Sequence, residues 1–237
     1  MGAQGQSFGA AAEAYEAGRP DYPAAAVAWL LAGVRGRVLD LGAGSGKLSR
    51  GITALGLDVI AVDPDARMLA HNTAGEARLG TAEAIPLADH SVAAATVGQA
   101  WHWFDHRAVA AELVRVLQPG GRLALVWNDY DVTDPFTAAF HDVIEPSSHP
   151  SAAAEQPSAV AGFDPFSEWV HPWRTRLTAS RLEALVRSRS PFLIADPAAQ
   201  QRTMAAVHDL LRERAGAGPD AAVELAYRSY CYRADQR

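Results

Sequence analysis

The stretch "VLDLGAGSG", residues 38–46, sets an apolar run against three glycines and decides how the chain folds. Val38, Leu39 and Leu41 belong to a short buried strand, "RVLDLG" (37–42), which the glycines stop. Beyond it, Leu48, Ile52 and Leu55 stand at i, i+4 and i+7, so "GKLSRGITALG" is a helix with one apolar face and Gly56 as its stop. Glycines between a strand and a helix let the backbone turn tightly and let a ligand approach closer than a Cβ permits. Asp40, Gly42, Gly44 and Gly46 follow the spacing D-x-G-x-G-x-G. A dinucleotide fold wants G-x-G-x-x-G, with pyrophosphate on the helix N-terminus. Here the third glycine comes one residue early, and the preceding acid repels phosphate while suiting a cationic amino-acid group.

Outward from the loop, strand and helix alternate. "LDVIAVD" (57–63) is the next strand and ends on Asp63, about 20 residues beyond the loop, where such folds place a carboxylate for ribose hydroxyls. A helix runs through Met68 and Leu69, and "VAAATVG" (92–98) is a further strand. Asp105 caps a helix that turns Val109, Leu113 and Val116 inward and ends at "QPGG", before the strand "RLALVW" (122–127). Upstream, Pro23 starts a helix ending near Gly33. This order predicts an α/β fold with a parallel, doubly wound sheet. In the second half, Ser180 and Glu183 read as a capping box and Asp196-Pro197 as another helix start. "VELAYRSYCYRA" (223–234) alternates and is expected as a late strand at the sheet edge. Residues 146–162, poor in large apolar groups, read as a long mobile loop that orders when substrate binds.

Composition narrows the function. With 237 residues, 49% hydrophobic and 20% charged, the chain is a packed globular protein. A net charge of −6, with Lys47 its only lysine, gives no electrostatic footprint for nucleic acid. One cysteine, Cys231, leaves no internal disulfide and fits a reducing compartment. The opening "MGAQGQSFGAAAEAYEAGRP" lacks the charged start and apolar core of a secretory leader, and Gln6 stands where myristoylation wants Ser or Thr. The longest apolar run, "AAAVAWLLAGV" (24–34), falls short of the roughly 20 residues of a membrane span. A cytoplasmic protein without a membrane partner is expected.

With these motifs the chain resembles a class I S-adenosylmethionine-dependent methyltransferase of the methyltransferase domain 11 type. "VLDLGAGSGKLS" is similar to the family's first motif, and "VIAVDPDARML" to its second-strand acid motif. "GTAEAIPLADHSVAAATVGQAWHWFD" resembles the stretch around the third and fourth strands, and "ELVRVLQPGGRLALVW" the helix, turn and fifth strand. "FGAAAEAYEAGRPDYP" and "QAWHWFD" resemble a narrower branch that includes trans-aconitate methyltransferase-like proteins. The resemblance implies a Rossmann-like, mostly parallel seven-stranded sheet with an antiparallel edge strand and a helical lid and insertion. It implies one domain, with a lid and first helix (1–36), a cofactor-binding core (37–129) and an acceptor-site insertion that completes the sheet (130–237). S-adenosyl-L-methionine is the implied cofactor, S-adenosyl-L-homocysteine the product, and a small molecule the acceptor. Gly42 and its neighbours Ala43, Gly44 and Gly46, with Asp40, are implied to hold the methionine end. Asp63 is implied to bind the ribose, Pro64 to lie beside the adenine, Ala82 and Glu83 near its edge, and Gln99 under the sulfonium. Many relatives carry an acid for the adenine amino group where this chain has Thr81, so Thr81, Glu83 or a backbone carbonyl takes that part.

The block "GQAWHWFD" (98–105) follows an apolar strand at the edge where open α/β sheets bind ligands. Trp103 and Phe104 are read as walls for the cofactor's flat and apolar parts, since aromatic faces attract a sulfonium. His102 is the candidate catalytic residue, as a base for a hydroxyl or amine acceptor or a donor to an acidic one. A carboxylate acceptor, already ionised, needs no base. Trp101 or Phe104 reads equally as core under the following helix. Tyr15 and Arg19 are expected to close over the cofactor, Arg19 pairing with the methionine carboxylate or an acidic substrate. His141 and His171 read as surface histidines, too scattered for a metal signature, and Trp169 and Trp173 as core; Arg174 lies with them in the acceptor half. Methyl transfer to oxygen of a carboxylate or hydroxyl is the reading; a nicotinamide-dependent oxidoreductase and a non-catalytic cofactor-binding protein are the rivals, and a protein or tRNA acceptor a third.

Overall fold

A computed structural model describes residues 12–145, 157–216 and 221–237. The glycine-stopped run forms strand β1 (Val38–Leu41), flanked by β2 (Val59–Asp63) and β4 (Val92–Gly98), both parallel to it. Outside them lie β3 (Glu76–Leu79) on β2 and β5 (Leu117–Tyr130) on β4, again parallel. The last strand, β7 (Ala222–Asp235), runs antiparallel between β5 and the edge strand β6 (Ser167–Thr178), so the seven-stranded order is β3-β2-β1-β4-β5-β7-β6.

Strands β1, β2, β4 and the middle of β5 are buried on both faces, and their period of two sorts the core. Leu39, Leu41, Ile60, Val62, Ala95, Val97, Leu123 and Leu125 face one layer, where helix α5 (His106–Val116) presents Val109, Leu113 and Val116. Val38, Val59, Ala94, Ala124 and Val126 face the other, against helices α2 (Ala24–Leu30) and α3 (Lys47–Ala54). The described part of the chain also contains α1 (Ala12–Gly18), α4 (Ala66–Leu69), α6 (Pro135–Ile144), α7 (Ala179–Arg187), α8 (Ser190–Ile194) and α9 (Pro197–Ala215). A separate apolar cluster joins α6, α7 and α9 to the far ends of β5, β6 and β7 through Phe140, Leu182, Leu185, Val207, Leu177 and Leu225.

Several expectations are met at residue level. Asp105 caps α5 by accepting from the amides of Arg107 and Ala108, and Asp196 caps α9 at Ala199. The predicted capping box is corrected: Thr178, not Ser180, caps α7, because β6 runs to Thr178 and Ala179 is already helical. Glu183 instead meets His208 at 2.9 Å. Strand 223–234 is found, but β6 takes the outermost place beyond it. β6 carries Pro172, which an edge strand tolerates because one row of its amides needs no partner. Of the expected loop, residues 157–162 are described and 146–156 lie outside the described residues.

Helix α1 docks on α7 at a point where no side chain fits. A Cβ on Gly18 would stand 2.1 Å from the backbone nitrogen of Leu185. Alanine in a helix is ordinarily favoured over glycine by about 1 kcal/mol. Here the overlap is with backbone, and overpacking of that kind costs about 1–3 kcal/mol. Gly18→Ala is therefore expected to lower the melting temperature and to speed cleavage after Glu16 by a glutamate-specific protease; a stabilised variant would show that α1 does not seat on α7.

Candidate functional site

β1 and β2 end side by side, and the glycine loop crosses their carboxyl ends. Gly42 and Ala43 donate to the carbonyl of Val62, and the amide of Gly44 donates to Asp63 Oδ2 at 2.9 Å. Gly42 has φ +69°, and a Cβ there would meet that of Ala100 at 2.7 Å, so both the turn and the close packing require glycine. Asp63 accepts a second amide bond from Asp65 at 2.8 Å. Burial raises the Asp63 pKa, and these amides act against that rise. A carboxylate held by backbone donors at a strand end, beside a loop whose amide is engaged by that acid, suits a ligand presenting hydroxyls better than one presenting phosphate. The residues thus fit a ribose-bearing cofactor that carries no phosphate.

Asp40 lies beneath the loop and is 1% exposed. It accepts Ser49 Oγ at 2.6 Å from α3 and Thr96 Oγ1 at 3.3 Å from β4. Burial pushes its pKa up to about 6, against the pull of both hydroxyls. Pro64 follows Asp63, half-buried. Thr81 bridges to Ala84, Ala82 is buried, and Glu83 accepts the amide of Asp105 at 3.1 Å, tying this turn to the start of α5. Gln99 adopts φ +59°, a strained conformation for a residue with a side chain. Its amide donates to Val126, and its Nε2 donates to the carbonyl of Asn128 at 2.8 Å.

The aromatic block divides. Trp101 is 4% exposed and stacks on His106 at 5.0 Å, as core under α5. Phe104 packs at Gly42. His102 and Trp103 form one short 3-10 turn, their rings 4.6 Å apart. His102 is solvent-exposed as a residue, yet partial desolvation of its ring holds the pKa below the ordinary histidine value.

Next to the strand ends opens a cleft with about 430 Å³ of space, its open mouth included. Tyr15, Arg19, Pro20, Tyr22, Lys47 and Gln99 line one part, and Asn128, Asp129, Tyr130, Leu185, Arg189 and Tyr227 the other. Of the expected residues, Tyr15, Arg19 and Gln99 meet here; His102 and Trp103 are not among its lining residues. Arg19 lies over the Tyr15 ring at 5.6 Å and donates to Ser188 Oγ at 3.2 Å. Lys47 donates to the carbonyl of Glu16 at 3.0 Å and faces the carboxylates of Glu16 and Asp21.

Sequence reasoning missed Asp129, Tyr130, Arg189 and Tyr227. "NDY" (128–130) directly follows the strand read at 122–127, so the rule that ligands bind beyond strand carboxyl ends could have found the first two. His141 is corrected: it is 3% exposed, its ring 5.8 Å from that of Tyr130, because α6 turns it toward β5. Trp169 and Trp173 are half-buried, His171 stacks on Trp169 at 4.9 Å, and Arg174 pairs with Asp134. Among the described residues no group of three or more His, Cys, Asp or Glu could hold a metal, and no helix is long and apolar enough to cross a membrane.

A Rossmann-like sheet with an acid-flanked glycine loop and a strand-end acid suits a nucleoside-bearing ligand, and comparison with known proteins gives the class. A methyltransferase-domain family matches residues 39–125. An uncharacterized methyltransferase of Mycobacterium tuberculosis is 40% identical over 232 residues, 96% of this chain and 95% of that protein. An uncharacterized methyltransferase of Schizosaccharomyces pombe is 38% identical over 150 residues, 60% of each chain. Among solved structures, one assigned as a type II methyltransferase from Anaeromyxobacter dehalogenans is 26% identical, with a TM-score of 0.66 over 91% of this chain and 97% of that one. The chain belongs to the class I S-adenosylmethionine-dependent methyltransferase family.

Asp40 makes stability depend on pH. The folded protein holds this proton up to about pH 6, while the unfolded chain releases it near pH 4. The folded state therefore binds more protons in that window, so this carboxyl subtracts from stability as pH rises from about 4 to 6 and adds no further loss above. The shift corresponds to about 3 kcal/mol. Asp40→Asn is expected to remove that slope: the stability difference between variant and wild type, from urea unfolding, should grow in the variant's favour from pH 4 to 6 and then level.

Proposed function

We propose that the protein transfers a methyl group from S-adenosyl-L-methionine to oxygen of a small-molecule acceptor, a carboxylate or a hydroxyl. The cofactor, when bound, supplies a methyl on a positively charged sulfur that is open to in-line displacement. The observation that carries the reading is the Asp63 carboxylate, fixed by two backbone amides beside the glycine loop. In this reading Asp63 accepts the ribose hydroxyls, and Asp40, Gly42, Ala43, Gly44 and Gly46 form the seat of the methionine end. Pro64, Thr81, Ala82 and Glu83 bound the adenine, while Gln99, with Trp103 and Phe104, attends the charged sulfur. Tyr15 and Arg19 close the site from α1, Arg19 meeting a carboxylate. Residues 1–36 then act as lid, 37–129 as cofactor core and 130–237 as acceptor half of one domain, in the cytoplasm.

Holding acceptor and donor aligned accounts for much of such a barrier, because fixed orientation replaces a chance encounter. His102 serves a hydroxyl acceptor by taking its proton, which its lowered pKa allows at neutral pH. For a carboxylate it has no proton to take. The resemblance of residues 8–23 and 99–105 to trans-aconitate methyltransferase-like proteins favours the carboxylate.

Calorimetric titration with S-adenosylhomocysteine tests the cofactor reading. The wild type is expected to bind and Asp63→Ala to weaken binding by at least about tenfold, the loss of one charged hydrogen-bonding group. Failure of the wild type to bind would sink the reading, and binding without turnover on any acid or phenol would leave a cofactor-binding protein. Turnover of phenols by His102→Gln is expected to fall about 10²–10⁴-fold, the usual worth of a general base, and that of carboxylates to stay within a few-fold.

A further inference from the structure

The acceptor half of the cleft is built around a buried guanidinium. Arg189 is half-buried, forms an ion pair with Glu145 through one Nη, and lies over the Tyr130 ring at 5.5 Å. Its Nε is buried with no hydrogen-bond partner. Tyr130 and Tyr227 are 5% and 4% exposed, their rings 5.0 Å apart, and both phenol oxygens lack a partner of acceptable hydrogen-bond geometry. Trp173 stacks on Tyr227 at 4.9 Å and fixes that ring from behind. Three of the eight buried side-chain polar atoms without a partner of good geometry among the described residues thus gather in one cleft wall.

Electrostatics point the same way. Three cations, Arg19, Lys47 and Arg189, line the cleft against one carboxylate, Asp129. Lys47 is answered by Glu16 and Asp21, and Arg189 by Glu145. Among the described residues Arg19 makes no ion pair, and its charge bears on Arg189 across the cleft. Two guanidiniums facing one space repel when it holds water and gain when it holds an anion. A planar carboxylate matches the guanidinium fork. A phosphate dianion suits the cleft less well, because Asp129 stands in the same wall.

We infer that the acceptor is recognised through a carboxylate group, anchored on Arg189 by its fork and Nε, with the Tyr130 and Tyr227 hydroxyls donating to the same oxygens. The inference rests on the cleft being the acceptor site of the proposed methyltransferase. It makes Arg189, Tyr130 and Tyr227 specificity-determining residues rather than catalytic ones.

The test uses the full chain saturated with S-adenosylhomocysteine and titrates acetate, acetamide and inorganic phosphate at constant ionic strength, following thermal shift. Acetate is expected to give a saturable stabilisation that neutral acetamide does not. Arg189→Lys keeps the charge and loses the fork and Nε donor, so half-saturation should rise about tenfold. Tyr227→Phe removes a hydroxyl that, among the described residues, approaches the Tyr130 hydroxyl but makes no hydrogen bond of good geometry, so it should leave the melting temperature little changed while weakening acetate. Arg212→Gln, remote from the cleft, should change nothing. Equal shifts with acetate and acetamide, or unchanged acetate binding in Arg189→Lys and Tyr227→Phe, would overturn the proposal. Stronger stabilisation by phosphate, lost in Arg189→Lys, would overturn the carboxylate assignment in favour of a phosphate group. If S-adenosylhomocysteine itself does not bind, the cofactor reading fails and the acceptor role with it, and the same acetate titration on the free protein still decides whether the cleft takes a carboxylate.

Discussion

A buried carboxylate without a counter-charge holds the centre of this fold together. Asp40 receives one hydroxyl from α3 and another from β4, so a single side chain of β1 ties the strand to the helix after the glycine loop and to the neighbouring strand. Thr96 also reaches the carbonyl of Leu39, which closes the connection. Leaving such a group unsatisfied in the interior is costly, so the hydroxyls of Ser49 and Thr96 and the path of the loop between them are constrained together. The loop in turn sets Gly44 against Asp63, and the strand-end acid then points where a ribose can meet it.

The other half of the site follows from strand length. The parallel pairing of β4 with β5 ends at Gly98 and Val126, yet β5 continues to Tyr130. Trp127 to Tyr130 pair with β7, whose Tyr227 stands opposite Tyr130. This overhang carries Asn128, Asp129 and Tyr130 past the carboxyl edge of the sheet, and α6, α7 and α9 pack around it. Gln99 joins the two halves: it sits at the end of β4, in a strained backbone, with its side chain on the carbonyl of Asn128.

What could be read from the sequence is what local physics controls. Strands β1, β2, β4 and β5 are apolar runs between breakers, and caps such as Asp105 and Asp196 act within three residues, so all were legible. β3 reads "EARL" and is mostly exposed, leaving no apolar run to find. β6, with Pro172 and its charges, looks like a loop until β7 is beside it. The glycine loop and Asp63 were visible because their geometry is set by neighbours in the chain. Arg189, Tyr130 and Tyr227 come together only through the tertiary packing of the insertion, and no spacing announces them. Trp101 was separable from Trp103 only once the stack on His106 was seen.

The position of β7 has a bearing on how the molecule is made. β6 and β5 flank it and, among the described strands, β6 pairs with β7 alone. During synthesis the first five strands and their helices can therefore collapse early, since their partners are already at hand. β6 must wait, and the final strand has to enter between two elements that have left room for it. The glycine loop and Asp63 can be in place while the ribosome is still elongating, whereas the wall bearing Tyr227 comes last. A nascent chain would gain its nucleoside seat before it gains any means of choosing what to modify.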